Sequence, residues 1–255
     1  MIFVDFLGWI MKFCYQMVGN FGVAIILFTL VSKIILLPIA IWVQKNSIKM
    51  VKMQPEINQL KAKFFGDKDM IAEEQTKIYK KYKYNALASL VPLVAQIVLL
   101  LGVVEIVKNP ELYIGTENIN YGFLGFDLRW VAVENGGMAI WIPVIAGLSA
   151  LVLCIGQNIM NVLQAEQSKW NKYGMLVFSV ALSVYLGTFV TAGVALYWTA
   201  SNLMAVLQQW LLNIFINPKK HVDYKALETS RAELKELQDL NKKVKRTKEQ
   251  IKKEK

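Results

Sequence analysis

The chain has 255 residues, of which 55% are hydrophobic and 19% charged, with seven Trp, ten Met and a formal net charge of +10. Its charges crowd into residues 45–84 and 219–255 and leave long stretches between them bare. A charge at mid-bilayer costs at least ~2.5–3.5 kcal/mol on insertion scales, so this segregation excludes an ordinary water-soluble globule and indicates an all-α polytopic membrane protein. Cys14 and Cys154 both lie in apolar surroundings and are expected to be small apolar fillers, because a disulfide framework needs more cysteines at closer spacing.

Residues 2–20 are apolar but interrupted by Asp5 and Lys12, which predicts an amphipathic helix lying at the membrane surface over residues 1–20. The stretch has neither the basic start nor the small-residue cleavage pattern of a leader peptide. A membrane helix needs about 20 apolar residues. The first span is therefore expected from Val23 to Val43, with Lys33 inside it, the second from Ala86 to Val104 and the third from Met138 to Val162. Residues 173–218 then hold 46 consecutive positions without Asp, Glu, Lys or Arg. As one helix they would extend ~69 Å, so they must fold back, and the break is expected between Gly187 and Gly193. Five spans result.

Loop charges orient them. Residues 45–84 carry ten Lys against five acids, and the tail 219–255 carries thirteen basic residues against seven acidic. Residues 105–134 carry two basic residues against five acids. The positive-inside rule then places the N-terminus and the loop 105–137 outside, and the 45–84 segment and the C-terminus in the cytoplasm. Three parts follow: the interfacial helix 1–20, a core 21–216 containing the 45–84 segment, and a basic tail 217–255.

Within residues 45–65, Met50, Met53, Ile57, Leu60 and Phe64 recur at alternating spacings of three and four, which is a heptad seam. Phe65 and Gly66 end that helix and Asp67 or Asp69 can cap the next, so 45–84 is expected to be a two-helix antiparallel hairpin. The tail places Leu234, Leu237, Val244 and Ile251 at heptad-like positions, suggesting intermittent helix. Its cations include Lys242, Lys243, Lys245, Arg246, Lys248, Lys252 and Lys253. By composition alone, three roles for them stand open: contact with RNA phosphates, contact with anionic lipid, or a disordered positive-inside anchor.

Lys33 is the one charge well inside a span, with Thr29 one turn earlier on the same face and no carboxylate at comparable depth other than Glu105 at the far end of the second span. An unpaired intramembrane Lys is expected to face a water-filled cavity. Gln96, Gln157, Ser201, Asn202 and Gln209 are also intramembrane, and pairing between helices accounts for such groups taken singly. Trp198, Asn202 and Gln209 share a helix face by spacing.

Several segments are familiar in this order. TLVSKIILLPIAI (29–41), MQPEINQLKAKF (53–64), YNALASLVPLVAQIVLL (84–100), FLGFDL (123–128) and GVALYWTASNLMAVLQQWLL (193–212) resemble corresponding segments of the YidC/Oxa-type membrane protein insertases. The resemblance covers roughly residues 5–216. It implies a bacterial plasma-membrane insertase and chaperone with a five-helix core and a hydrophilic groove open to cytosol and lipid. Lys33 matches the groove's basic residue, usually Arg in the family, and Thr29 its polar neighbour. Trp198 matches a groove aromatic, Gln157 is a looser match, and Ser201 joins the set. The hairpin residues Met53, Ile57, Leu60 and Phe64 are implied to recruit clients. Implied partners are nascent membrane proteins, the ribosome through rRNA phosphates at the basic tail, anionic lipids and the general secretory translocon. No enzyme chemistry, metal or cofactor is expected, since HExxH and GxxxxGK[ST] are absent and His221, the single histidine, lies in the tail. The rival reading is a small transporter or channel with Lys33 as an anion site. It predicts internal repeats and paired broken helices, which the sequence does not show.

Overall fold

The computed structural model describes residues 2–115 and 118–253, with side chains through residue 244. The described chain is helical apart from one two-stranded hairpin and its connections. It forms two compact units, Met1–Val43 with Ser89–Phe215, and Gln44–Ala88 with Ile216–Lys255.

The first unit begins with α1 (Ile2–Val18), which ends at Gly19 in the left-handed region. One face of α1 buries Leu7, Ile10, Met11 and Cys14, while the other exposes Phe6, Trp9 and Phe13, stacked in a row at 6.5 Å spacings. Asn20 caps α2 (Phe21–Ile35) by accepting from the Val23 N–H at 3.1 Å. The expected first span is broken at Leu36, after which α3 (Leu37–Lys63) begins. Pro38 supplies the cause: it has no N–H for the Ile34 carbonyl, and its ring crowds that same oxygen.

The second unit continues along α3, turns at Gly66 and returns through α4 (Lys68–Lys81), capped by Asp67, which accepts from the Met70 N–H at 3.0 Å. The Asn46 side chain closes the base of this pair, donating to the Asn85 carbonyl at 2.8 Å and accepting from the Asn85 N–H at 3.0 Å. Higher up, Glu56 accepts from Lys81 at 2.9 Å and from the Tyr82 hydroxyl.

In the first unit the chain continues as α5 (Val91–Lys108), started by Pro92, and α6 (Pro110–Ile114). The segment expected to be an external loop is ordered: strands β1 (Gly122–Phe123) and β2 (Phe126–Asp127) pair antiparallel, followed by α7 (Ala132–Asn135). Next come α8 (Trp141–Met160), α9 (Val162–Ala165), α10 (Lys169–Phe189) and α11 (Ala192–Phe215). The fold-back falls at Val190–Thr191, inside the predicted interval. There the Ala192 and Gly193 N–H groups donate to the Trp130 and Leu128 carbonyls at 2.7 and 2.8 Å. Both N–H groups belong to the first turn of α11, where helix geometry leaves them without internal partners. The crossing of α8 and α10 is close because Gly187 has no side chain; a Cβ there would stand 2.6 Å from Pro143 Cα.

Among the described residues three helices, α5, α8 with its lead-in from Gly137, and α10, are long and apolar enough to cross a membrane, and α2 with α3 makes a fourth if the bent pair is one span. With its 24 residues α11 is long enough, but Ser201, Asn202, Gln208, Gln209 and Asn213 lower its apolarity. Its place among the spans therefore depends on how those groups are satisfied.

After the short turn Pro218–Lys220, the tail is the continuous helix α12 (Tyr224–Lys253), where intermittent helix was expected. It is built into the second unit. Val222 and Leu227 are buried, and the Asn58 amide donates to Ser230 Oγ at 3.1 Å, both partners being buried.

The Tyr82 hydroxyl and, after it, the Lys81 ammonium hold the Glu56 carboxyl below its ordinary value of 4.5. A depressed folded value means that the Glu56 tie is fully present above about that pH and is lost as pH falls through the folded value. The protection factors of the α4 amides, taken relative to the intrinsic exchange rate at each pH, should therefore fall on acidification below the ordinary glutamate range. In Glu56→Gln protection should already be low at neutral pH, with a flatter acid response. An α4 protection profile identical in both proteins would show that the tie is energetically idle.

Candidate functional site

Both α2 and α11 start from the ordered segment at one end of the first unit. The Phe21 N–H donates to the Asn120 carbonyl at 3.0 Å, and the α11 N–H groups bond the backbone of 128–130. That end is filled with apolar side chains, among them Met11, Phe21, Phe28, Val103, Ile106 and Tyr197, all at most 1% exposed. Phe28 and Tyr197 lie with ring centroids 6.4 Å apart. Moving away from this plug, α2 and α11 advance together at ~1.5 Å per residue, so Lys33, five residues past Phe28, reaches about the depth of Asn202, five past Tyr197.

Polar side chains from four helices gather along α11 from Trp198 onward, on either side of that depth. Trp198 Nε1 donates to Ser183 Oγ on α10 at 2.8 Å. Ser201 Oγ donates to Gln96 Oε1 on α5 at 3.1 Å, and Asn202 Nδ2 donates to Ser149 Oγ on α8 at 3.0 Å. Further along, Asn161 donates to Gln209 at 3.4 Å, Gln209 to Asn213 at 3.1 Å, and Asn213 to the Met160 carbonyl at 2.7 Å. A polar group buried without a partner costs free energy, so these bonds offset the polarity that α11 carries into the apolar unit.

The groups on α2 differ. Thr29 is 1% exposed and its hydroxyl donates to the Ile25 carbonyl at 2.7 Å, within its own helix. Ser32 is 4% exposed, and its Oγ has no partner among the described residues. Lys33 is half-buried and, among the described residues, has neither a hydrogen-bond nor an ion-pair partner. The Gln157 side chain on α8 is likewise half-buried and without a bond among the described residues. Of the five groove candidates, Trp198 and Ser201 are thus bonded to neighbouring helices, Thr29 to its own, and Lys33 and Gln157 to nothing described. Ser149 and Ser183 were missed in the sequence. Their only signal is a small hydroxyl facing an amide or indole, and serine in an apolar helix more often bonds its own backbone.

The hairpin candidates divide differently. Met53 and Ile57 are 0% and 1% exposed, inside the second unit, while Leu60 and Phe64 are half-buried and Phe65 beside them is exposed. On α12, Lys242 and Lys243 are on the outer surface, with Lys242 3.9 Å from Asp239. The side chains of Lys245, Arg246, Lys248, Lys252 and Lys253 lie outside those described. No cluster of His, Cys, Asp or Glu among the described residues has the makings of a metal site.

Apolar helices of membrane-crossing length, a polar seam satisfied between helices and a half-buried cation define a multi-pass helical membrane protein. Residues 13–221 match the family model described as 60Kd inner membrane protein, and the chain belongs to that YidC/Oxa1 family of the bacterial plasma membrane. It is 28% identical over 208 residues to Membrane protein insertase YidC of Fusobacterium nucleatum, covering 82% of this chain and 93% of that one. It is 32% identical over 208 residues to Membrane protein insertase YidC 1 of Streptococcus pyogenes serotype M3, covering 79% and 69%. The YidC of Treponema denticola is 27% identical over 221 residues, but only 36% of its length is covered. The family is not a classical enzyme family.

If the interhelical bonds fix α11, the Asn202–Ser149 pair should show a coupling of about 1 kcal/mol in a double-mutant cycle to Ala in bicelles. A coupling indistinguishable from zero would assign the position of α11 to packing alone.

Proposed function

We propose that this chain inserts newly made membrane proteins into the bacterial plasma membrane, with the N-terminus outside and both the α3–α4 pair and α12 in the cytoplasm. The observation that carries this reading is the unpartnered, half-buried Lys33 at the depth of a polar seam whose other members are mostly satisfied. Support comes from the relatives, which are named membrane protein insertases. With α11 counted, five helices cross the bilayer. A polar groove then lies beside Lys33, Thr29, Gln157, Trp198 and Ser201, and the apolar plug formed around Phe28 and Tyr197 closes it toward the outside.

The work done is physical. The tip of the α3–α4 pair, Leu60 to Phe65, meets the apolar segment of a client, while Met53 and Ile57 hold the pair together from inside. The client's short polar flank enters the groove, where Lys33 attracts its acidic residues. The apolar segment then slides into lipid, and the inside-negative potential favours outward passage of each acidic charge by about 2.3 kcal/mol per 100 mV. No nucleotide and no covalent step is needed. The basic end of α12, Lys242 onward, docks the ribosome through RNA phosphates, with anionic lipid competing for the same cations. The secretory translocon is a further candidate partner.

Purified protein in liposomes should insert a small single-span client without nucleotide and should leave solute gradients intact. Lys33→Arg should retain insertion, and Lys33→Ala should impair clients with acidic flanks more than clients with neutral ones. Equal activity of Lys33→Ala on both classes would remove charge attraction from the mechanism, and solute movement without insertion would replace it with transport.

A further inference from the structure

The β1–β2 connection combines two choices that are each unfavourable in water. Its register pairs Phe123 with Phe126 and leaves Leu124 and Gly125 as a two-residue turn. Both have positive φ, +50° at Leu124 and +84° at Gly125, the pattern of a type I′ turn. Asn, Asp or Gly is favoured at the first of these positions, since a Cβ there crowds the backbone. Leu124 offers no polar side chain in compensation and is 80% exposed.

The rest of the hairpin is firmly seated. Asn20 donates to the Gly122 carbonyl at 2.7 Å, and Phe123 lies so close to Gly22 that a Cβ there would be 2.4 Å from its ring. The charges that follow the turn are engaged with each other and with a ring. Asp127 and Arg129 pair with each other at 2.5 Å, and Arg129 lies over the Tyr121 ring at 4.8 Å. Beyond the turn, a Cβ on Gly125 would lie 3.6 Å from Met138 Cε. Met138 heads an exposed stripe that runs down α8 through Trp141, Ile145, Leu148, Val152 and Ile155, at alternating spacings of three and four. That is one helix face, apolar throughout and uncovered.

We propose that this stripe and the turn form one continuous lipid contact, in which Leu124 dips into the leaflet at the N-terminal end of α8 and anchors the hairpin there. The inference rests on reading α8 as a membrane span. Hydrocarbon reconciles the strained backbone with the exposed side chain, because Asn would relieve the turn but would carry an unsatisfied amide into lipid. Trp141 sits where interfacial aromatics gather, one turn from Met138.

The test uses the full chain with Cys14 and Cys154 changed to Ala, reconstituted in phosphatidylcholine vesicles. An environment-sensitive fluorophore is placed in turn at Leu124→Cys, at Leu148→Cys in mid-span and at Glu111→Cys on an exposed polar surface. At residue 124 the emission should be blue-shifted relative to residue 111. It should be quenched strongly by a nitroxide near the headgroup end of the acyl chain, and several-fold less by iodide than residue 111 is. At residue 148 quenching should come from a nitroxide near the acyl terminus. Failure at 148 would overturn the span and the inference together. Normal quenching at 148, with 124 either open to iodide or shielded from iodide and nitroxide alike, would overturn the lipid anchor alone, the last result meaning protein covers it.

Discussion

A polar side chain buried among apolar ones needs a partner, and α11 carries several of them through the apolar unit. The bonds that satisfy them also tie α11 to its neighbours: Ser201 to α5, Asn202 to α8, Trp198 to α10, and Asn213 to the end of α8. Between membrane helices the hydrophobic effect supplies no attraction, because lipid tails are as apolar as leucine. Van der Waals packing and these hydrogen bonds therefore carry the assembly. The close approach at Gly187 and the plug around Phe28 and Tyr197 supply the packing.

An asymmetry follows. At the end built from α1, the ordered segment 118–132 and the helix starts, backbone N–H groups bond across elements and apolar rings fill the interior. Away from that end the polar seam begins, and α2 brings Ser32 and Lys33 to it without partners among the described residues. The break that Pro38 imposes falls at Leu36, immediately after the turn that holds Lys33. The chain therefore changes direction just past the cation.

Much of this was legible in the sequence. The charge-free run 173–218 announced a fold-back, and the glycines bracketed where it occurs, since a 46-residue apolar helix has nowhere to end in a bilayer. The seam of Met53 and Ile57 and the cap at Asp67 followed from local spacing and side-chain chemistry. What stayed hidden depends on contacts remote in sequence. Nothing near Ser183 or Ser149 marks either as the partner of Trp198 or Asn202. Asn58 and Ser230 stand 172 positions apart, so the packing of the tail helix into the second unit left no local trace. The turn at Leu124 was hidden for a different reason: a leucine at positive φ runs against the local preference from which turns are predicted.

The proposed role of Lys33 is tested most directly by photocrosslinking a ribosome-stalled single-span client whose acidic flank carries the photoreactive side chain, with the adducts mapped by mass spectrometry. Adducts on α2 between Thr29 and Lys33 and on α11 around Trp198 and Ser201, weakened when the flank's acids are made neutral, are the predicted result. Adducts confined to the outer face of α10 or to the α3–α4 pair, at the same yield with a neutral flank, would contradict it.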